Sequence, residues 1–478
     1  ANAMAGILNA ARARVPLLVT VGQQATGLLD EAPFLGGDVI GMASSVAKAA
    51  WEVPSPTELA AFYSRAVRTA LEDPAGPVVL SLPLDVQYGA VDEAPAPTPP
   101  PPPAPRPEPA AIAAVASRLE VARAPVILAG DAVRDGAADV AALADALGAP
   151  IWGEPFAAQV GVPTDHPLYR GLLPGFAADI RDALSGHDVV LALGMPVFRC
   201  FGESPGPALR DGQALIHVEI DPAEIGRVIA PDLGVCADPA AMAEALAARR
   251  PDARAAGRGF EWRERIAAER RAARVALDGA GRTAPVSPAG LCAALGRGVG
   301  AADLVVDEAL TAGRPLRRAL PRTAGTWLAH RGSALGWGLP AAVGAALADR
   351  DRRVMAIQGD GGVLFGLSAL WTAAAESLPL ALVIADNGGY EILRAGLEAF
   401  TGRAEGPWPG ITLDAPRPDL VALARGFGAD ATALPAGNDL DEAIRDLWQR
   451  SADGPAALIV PVTGRSPAHG YPPPSADR

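Results

Sequence analysis

Between residues 354 and 393 the chain reads VMAIQGDGGVLFGLSALWTAAAESLPLALVIADNGGYEIL, an order that few folds accommodate. Residues 354–357 are a short apolar run that fits a buried strand. Gly359, Asp360, Gly361 and Gly362 follow as a turn at its carboxyl end. Residues 368–377 are helix formers with helically spaced apolar positions, Pro379 ends them, and 380–385 is a second buried strand. Asp386, Asn387, Gly388 and Gly389 close the unit as a loop. Strand, helix and strand in this order predict a parallel sheet and an α/β fold. Both loops then lie at the carboxyl edge, where such sheets bind ligands. That edge brings Asp360 near Asn387, although 26 residues lie between them. A carboxylate, an amide oxygen and free backbone carbonyls are hard ligands, suited to Mg²⁺ that is also held by phosphates. The glycines let backbone N–H groups approach an anion.

With 478 residues the chain is long enough for two or three domains with their own cores. Its longest apolar runs, such as 378–385, are far too short to span a membrane, so no membrane partner is expected. The net charge of −13, without a basic block, argues against nucleic acid. Cys200, Cys236 and Cys292 are odd in number and widely spaced, which fits a reducing interior. No basic n-region marks a secretory signal, so a cytoplasmic protein is expected.

In chain order, residues 1–93 read as part of an α/β domain, with helices at 1–13 and 57–71 and strands at 16–21 and 77–84. A compact parallel sheet would call for further strands ahead of residue 1. Residues 94–110 form a proline-rich linker, expected to be extended polyproline II. Residues 111–250 form a central α/β domain, with strands at 125–130, 150–152, 188–193 and 214–220 and a helix at 137–147. No G-x-G-x-x-G joins a strand to a helix there, and His187 and His217 read as core histidines. Residues 251–286 form a helical linker whose arginine-rich face is expected to be solvated. Residues 287–465 form a last α/β domain, with a strand ending at Glu308 and a helix at 439–449 capped by Asn438; a tail, 466–478, follows. The predicted fold is therefore three doubly wound α/β domains with parallel sheets.

The GDG motif with its distant Asn-Gly-Gly resembles the diphosphate-binding motif of thiamine-diphosphate-dependent enzymes. Local matches run the length of the chain: Asn2-Ala3-Met4, PLLVTVGQQ at 16–24, GPVVLSLPL at 76–84, DHPLYRGLL at 165–173, HDVVLALGMPVF at 187–198 and LGWGLPAA at 335–342. Together they resemble the superfamily of decarboxylase and acetolactate-synthase type, and within it the benzoylformate decarboxylases. The resemblance implies thiamine diphosphate and Mg²⁺ as cofactors. Its metal ligands would be Asp360, Asn387 and the carbonyl of Gly389. Gly359, Gly361, Gly362, Tyr390 and Glu308 would contact the cofactor, and Leu335 would prop its bend.

The implied reaction is non-oxidative decarboxylation of a small 2-oxo acid to an aldehyde through an enamine. Two alternatives stay open: a carboligase of acetolactate-synthase type, and a catalytically silent homologue without the cofactor-activating glutamate. The resemblance places that glutamate in a half-domain of about 60 residues ahead of residue 1. Ser287 stands where benzoylformate decarboxylases carry a histidine. His330, with Arg331, is the candidate to hold a substrate carboxylate or to take over that histidine's part. Phe34, Leu310, Ile392 and Leu393 would make an apolar pocket for an aromatic or branched 2-oxo acid. A homodimer or homotetramer is implied.

Overall fold

The computed structural model of the protein describes residues 2–91, 99–249, 254–311, 313, 325–332, 334–403, 406 and 408–463. The chain divides into two compact units: residues up to Pro105 together with His330–Ala334, and Arg106–Ala329 together with the chain from Leu335 on. Among the described residues the fold is α/β with three sheets, each of parallel strands.

In the first unit β1 (Leu17–Gln23), β2 (Ala49–Glu52) and β3 (Pro77–Pro83) form a sheet in the order β1-β3-β2. β3 takes the centre because it is apolar on both faces. Val78 and Leu80 pack with Ala66 and Ala70 of the helix Leu59–Leu71, while Val79 packs with Ile7 of the helix Met4–Arg12 and with Ala43. The helix Val39–Ser44 and β2 have no counterpart in the sequence reading. β2 is half-buried at all four positions and carries no apolar run.

In the second unit β4 (Pro125–Ala129), β5 (Ile151–Gly153), β6 (Tyr169–Leu172), β7 (Val189–Leu193), β8 (Ala214–Glu219) and β9 (Leu233–Cys236) form the central sheet in the order β6-β5-β4-β7-β8-β9. His187 Nδ1 meets the Ala124 carbonyl at 3.1 Å and His217 Nε2 meets that of Met195 at 2.9 Å, so both histidines are satisfied in the core. On the helix Ala255–Asp278 the arginine face is solvated in part: Arg265, Arg271 and Arg274 are exposed, whereas Arg263 and Arg270 turn to the central domain. Arg270 Nη2 donates to the carbonyls of Thr164, His166 and Tyr169 at 3.0, 2.8 and 2.7 Å, and Arg263 pairs with Asp145 at 2.8 Å. Trp262 stacks on His187 with 5.4 Å between ring centroids. Arginine's fork of donors lets Arg270 gather several backbone carbonyls at once, which ties the helix to the chain leading into β6. Residues 94–98 of the linker and the tail 466–478 lie outside the described residues. Residues 99–108 carry no regular structure, and Pro109 opens the helix Pro109–Val121, where its missing N–H costs nothing.

The last sheet consists of β10 (Leu304–Glu308), β11 (Trp327–Ala329), β12 (Val354–Gly359), β13 (Leu380–Asp386), β14 (Asp430–Ala433) and β15 (Ala456–Pro461), in the order β11-β10-β12-β13-β15-β14. Met355, Ile357 and Val383 feed one core, while Val354, Ala356 and Leu382 feed the other. Burial on both faces explains why these strands read as unbroken apolar runs. The chain leaves β10 for β11 on one flank and returns to β12 on the other, so the topological switch point lies between β10 and β12. Two local expectations are corrected. Asp360–Val363 form a helical turn instead of a plain glycine turn. The cap of the helix Leu440–Arg450 is Asp439, which accepts the Glu442 N–H at 3.1 Å, and not Asn438, one residue too early to reach it. No described helix is long and apolar enough to cross a membrane.

Candidate active site

β10, β12 and β13 lie side by side, and in register Glu308 pairs with Gln358 and Gly359 with Ala385. Glu308, Asp360 and Asn387 therefore leave the same carboxyl edge, beside the switch point. Asp360 is buried. Its Oδ1 accepts the Gly361 N–H at 2.9 Å, and its Oδ2 accepts those of Gly388 and Gly389 at 2.7 and 2.9 Å. Asn387 Oδ1 accepts the same Gly389 N–H at 3.2 Å. The shared donor brings the carboxylate and the amide oxygen together. Hydrogen bonds to a charged acceptor are worth roughly 1.5–3 kcal/mol each. Burial nevertheless outweighs them and, with Asp386 adding like charge, pushes the Asp360 carboxyl up to about 6. A bound cation is the interaction that would restore the charged form.

The donor set fits such a cation. A carboxylate offers about four acceptor positions, and the three N–H bonds to Asp360 leave one. Among the described residues no group of three His, Cys, Asp or Glu side chains is placed to hold a metal. One carboxylate with amide and carbonyl oxygens suits a hard ion that brings further oxygens from a phosphate ligand.

Glu308 is buried on the neighbouring strand. Its Oε1 accepts the Trp337 N–H at 3.1 Å and its Oε2 the Gly338 N–H at 3.0 Å, at the start of the helix Gly338–Ala348. Burial pushes this carboxyl up to about 7. Gln358 beside it is fully buried, and neither its amide nitrogen nor its oxygen has a hydrogen bond among the described residues. Leu335 reaches the glycine turn: its Cδ2 lies 4.0 Å from where a Cβ on Gly362 would sit. The Tyr390 ring covers Gly361, with Cε1 2.5 Å from the corresponding Cβ position.

Two family descriptions match the chain: "Thiamine pyrophosphate enzyme, central domain" over residues 112–246 and "Thiamine pyrophosphate enzyme, C-terminal TPP binding domain" over residues 310–460. Benzoylformate decarboxylase of Pseudomonas aeruginosa is 33% identical over 96% of this chain and 85% of its own length. The chain belongs to the thiamine-diphosphate-dependent enzymes. Acetolactate synthase isozyme 1 large subunit of Escherichia coli is 27% identical over 99% of this chain and 83% of its own. Among solved structures, the 4-hydroxybenzoylformate decarboxylase of Rhodococcus jostii RHA1 superposes with a TM-score of 0.81 at 28% identity, covering 97% of this chain and 85% of that one. Benzoylformate decarboxylase of Polynucleobacter necessarius gives 0.86 at 25% identity, covering 98% and 85%.

Of the residues that the resemblance assigns to the site of a thiamine-diphosphate enzyme, those for cofactor and metal all stand in the second unit, around the carboxyl edge of the last sheet. The others are dispersed. Ser287 caps the helix Pro288–Gly298, its Oγ accepting the Gly290 N–H at 3.1 Å. His330 is buried in the first unit, on the segment His330–Ala334. Phe34 also belongs to the first unit and is 89% exposed, whereas Leu310, Ile392 and the exposed Leu393 belong to the second. A small cleft in the second unit, lined among others by Glu154, Gln159, Tyr169 and Trp327, contains none of the predicted residues.

Sequence reasoning missed the segment that braces the loop after β13. The Gly388 carbonyl accepts the Leu413 N–H and the Ile411 carbonyl accepts the Tyr390 N–H, both at 2.8 Å. Arg417 pairs with Asp386 at 2.8 Å. No motif marks these residues, because backbone pairing leaves the side chains free to vary.

Proposed function

We propose that this thiamine-diphosphate enzyme binds Mg²⁺ through Asp360, Asn387 and the Gly389 carbonyl and decarboxylates an aromatic or branched 2-oxo acid to an aldehyde. The observation that carries this reading is the Gly389 N–H shared by Asp360 and Asn387, which draws two candidate oxygen ligands together at the carboxyl ends of β12 and β13. Bound thiamine diphosphate would supply the carbon nucleophile and the electron sink. The chain's own part is to bind and orient. The glycine-lined turn after β12 admits the diphosphate, Leu335 faces Gly362 and supports the bend, and Glu308 holds the start of the helix Gly338–Ala348 next to it. Leu310, Ile392 and Leu393, all in the second unit, would supply apolar walls.

The substrate class rests on the benzoylformate and 4-hydroxybenzoylformate decarboxylases among the relatives. A second reading, carboligation, is favoured by the acetolactate synthase relative and by Ser287, whose hydroxyl serves as a helix cap and cannot replace an imidazole as a proton shuttle. Product analysis by NMR separates the two. Benzaldehyde from benzoylformate supports decarboxylation; an acetohydroxy acid from pyruvate, with benzoylformate untouched, supports carboligation. We assign the protein to the cytoplasm on its three free cysteines, and to a homodimer or homotetramer on its family.

A further inference from the structure

We propose that Asn9 is a positioning residue that sets Leu335, and through it the bend of the bound cofactor; this inference rests on the site reading above. Asn9 lies in the helix Met4–Arg12 and is 2% exposed. Its Nδ2 donates to the Ala5 carbonyl within the helix and to the Ala334 carbonyl, each at 3.0 Å, and its Oδ1 accepts the Gly332 N–H at 2.9 Å. One carboxamide thus holds both ends of a three-residue segment that lies 323 to 325 residues further along the chain.

The Ala334 carbonyl belongs to the same rigid peptide plane as the Leu335 nitrogen. By fixing that oxygen, Asn9 fixes the plane from which Leu335 departs. The next residue is constrained as well: Gly336 has φ +89°, and a Cβ there would lie 2.6 Å from Cβ of Phe365. Gly332 leaves no slack on the near side, since its own Cβ would meet Asn9 Oδ1 at 2.7 Å and the Asn9 Cα at 3.1 Å. A buried polar side chain that spends both ends on one distant segment is better explained by setting that segment than by helix stability, because asparagine is a poor interior helix former.

The test compares wild type with Asn9→Ala and Gly332→Ala. The second variant keeps the Asn9 side chain but sets a methyl against it, so the same segment is pushed away from the carboxamide that holds it. Two probes are titrated calorimetrically with Mg²⁺ present: thiamine diphosphate, and inorganic pyrophosphate, which needs only the Asp360 turn. The near-ultraviolet circular dichroism of the bound cofactor is recorded as well. We expect both variants to bind pyrophosphate like wild type, to bind thiamine diphosphate about 10-fold more weakly, about 1.4 kcal/mol, and to show an altered dichroic band. Unchanged binding of both probes, a parallel loss of both, or failure of both variants to fold would overturn the proposal. If wild type itself binds neither probe, the site reading fails first, and the proposal with it.

Discussion

The Asp360 carboxylate binds three backbone N–H groups and is still pushed up to about 6. An Asp360→Asn substitution removes the charge that a cation would pair with and sets an NH₂ group against one of the N–H donors. Thiamine diphosphate binding in Mg²⁺ should weaken by about 100-fold or more, and the free protein should lose roughly 1–3 kcal/mol of stability. Calorimetry and thermal melting check the two parts. Glu308 provides a pH signature. Its folded-state carboxyl is raised from 4.5 to about 7, so the folded state holds its proton where the unfolded chain has lost it. Stability is therefore lost as pH rises through that window and is flat above it. Relative to wild type, Glu308→Gln should gain melting temperature between about pH 5 and about pH 7.5. A difference that stays constant over this range would refute the assignment.

At the level of elements, the loop after β13 is braced by residues 411–413, and Gly389 has no room for a side chain: its Cβ would lie 2.4 Å from the Ile411 carbonyl oxygen. Gly359 has nothing within 4 Å and an extended backbone. Gly389→Ala should lower both the melting temperature of the free protein and cofactor affinity. Gly359→Ala should leave the melting temperature within about 1 °C, as for an unstrained surface change, while weakening thiamine diphosphate, whose phosphates need the open backbone. β12 and β13 were legible in the sequence because burial on both faces leaves an apolar run. β9 and β14 were not: each is four residues long and buried at a single position. The helix Glu391–Thr401 was equally hidden, since no capping residue or proline announces it directly behind two loop glycines. Asn9 could not be read at all, because its partners lie more than 300 residues away.

For the whole molecule, three parallel sheets with a glycine-bordered oxygen site on the last one were readable from strand spacing and one motif. The strand order was not. The switch point between β10 and β12 follows from which edges pair, and pairing depends on packing that no local pattern records. The division into units was also hidden, because the segment His330–Ala334 clusters with residues at the start of the chain, far from its neighbours in sequence. Exposed Phe34, Phe365, Trp371 and Phe400 are the kind of apolar surface that assembly covers. Light scattering should therefore return a dimer or a tetramer, and a monomer at micromolar concentration would contradict the proposed assembly. The most direct test of the site is calorimetric titration of thiamine diphosphate with Mg²⁺ and then with chelator. The expected result is saturable binding near one cofactor per chain, lost on chelation and in Asp360→Asn. No binding with Mg²⁺ present, or binding indifferent to both chelator and substitution, would contradict it.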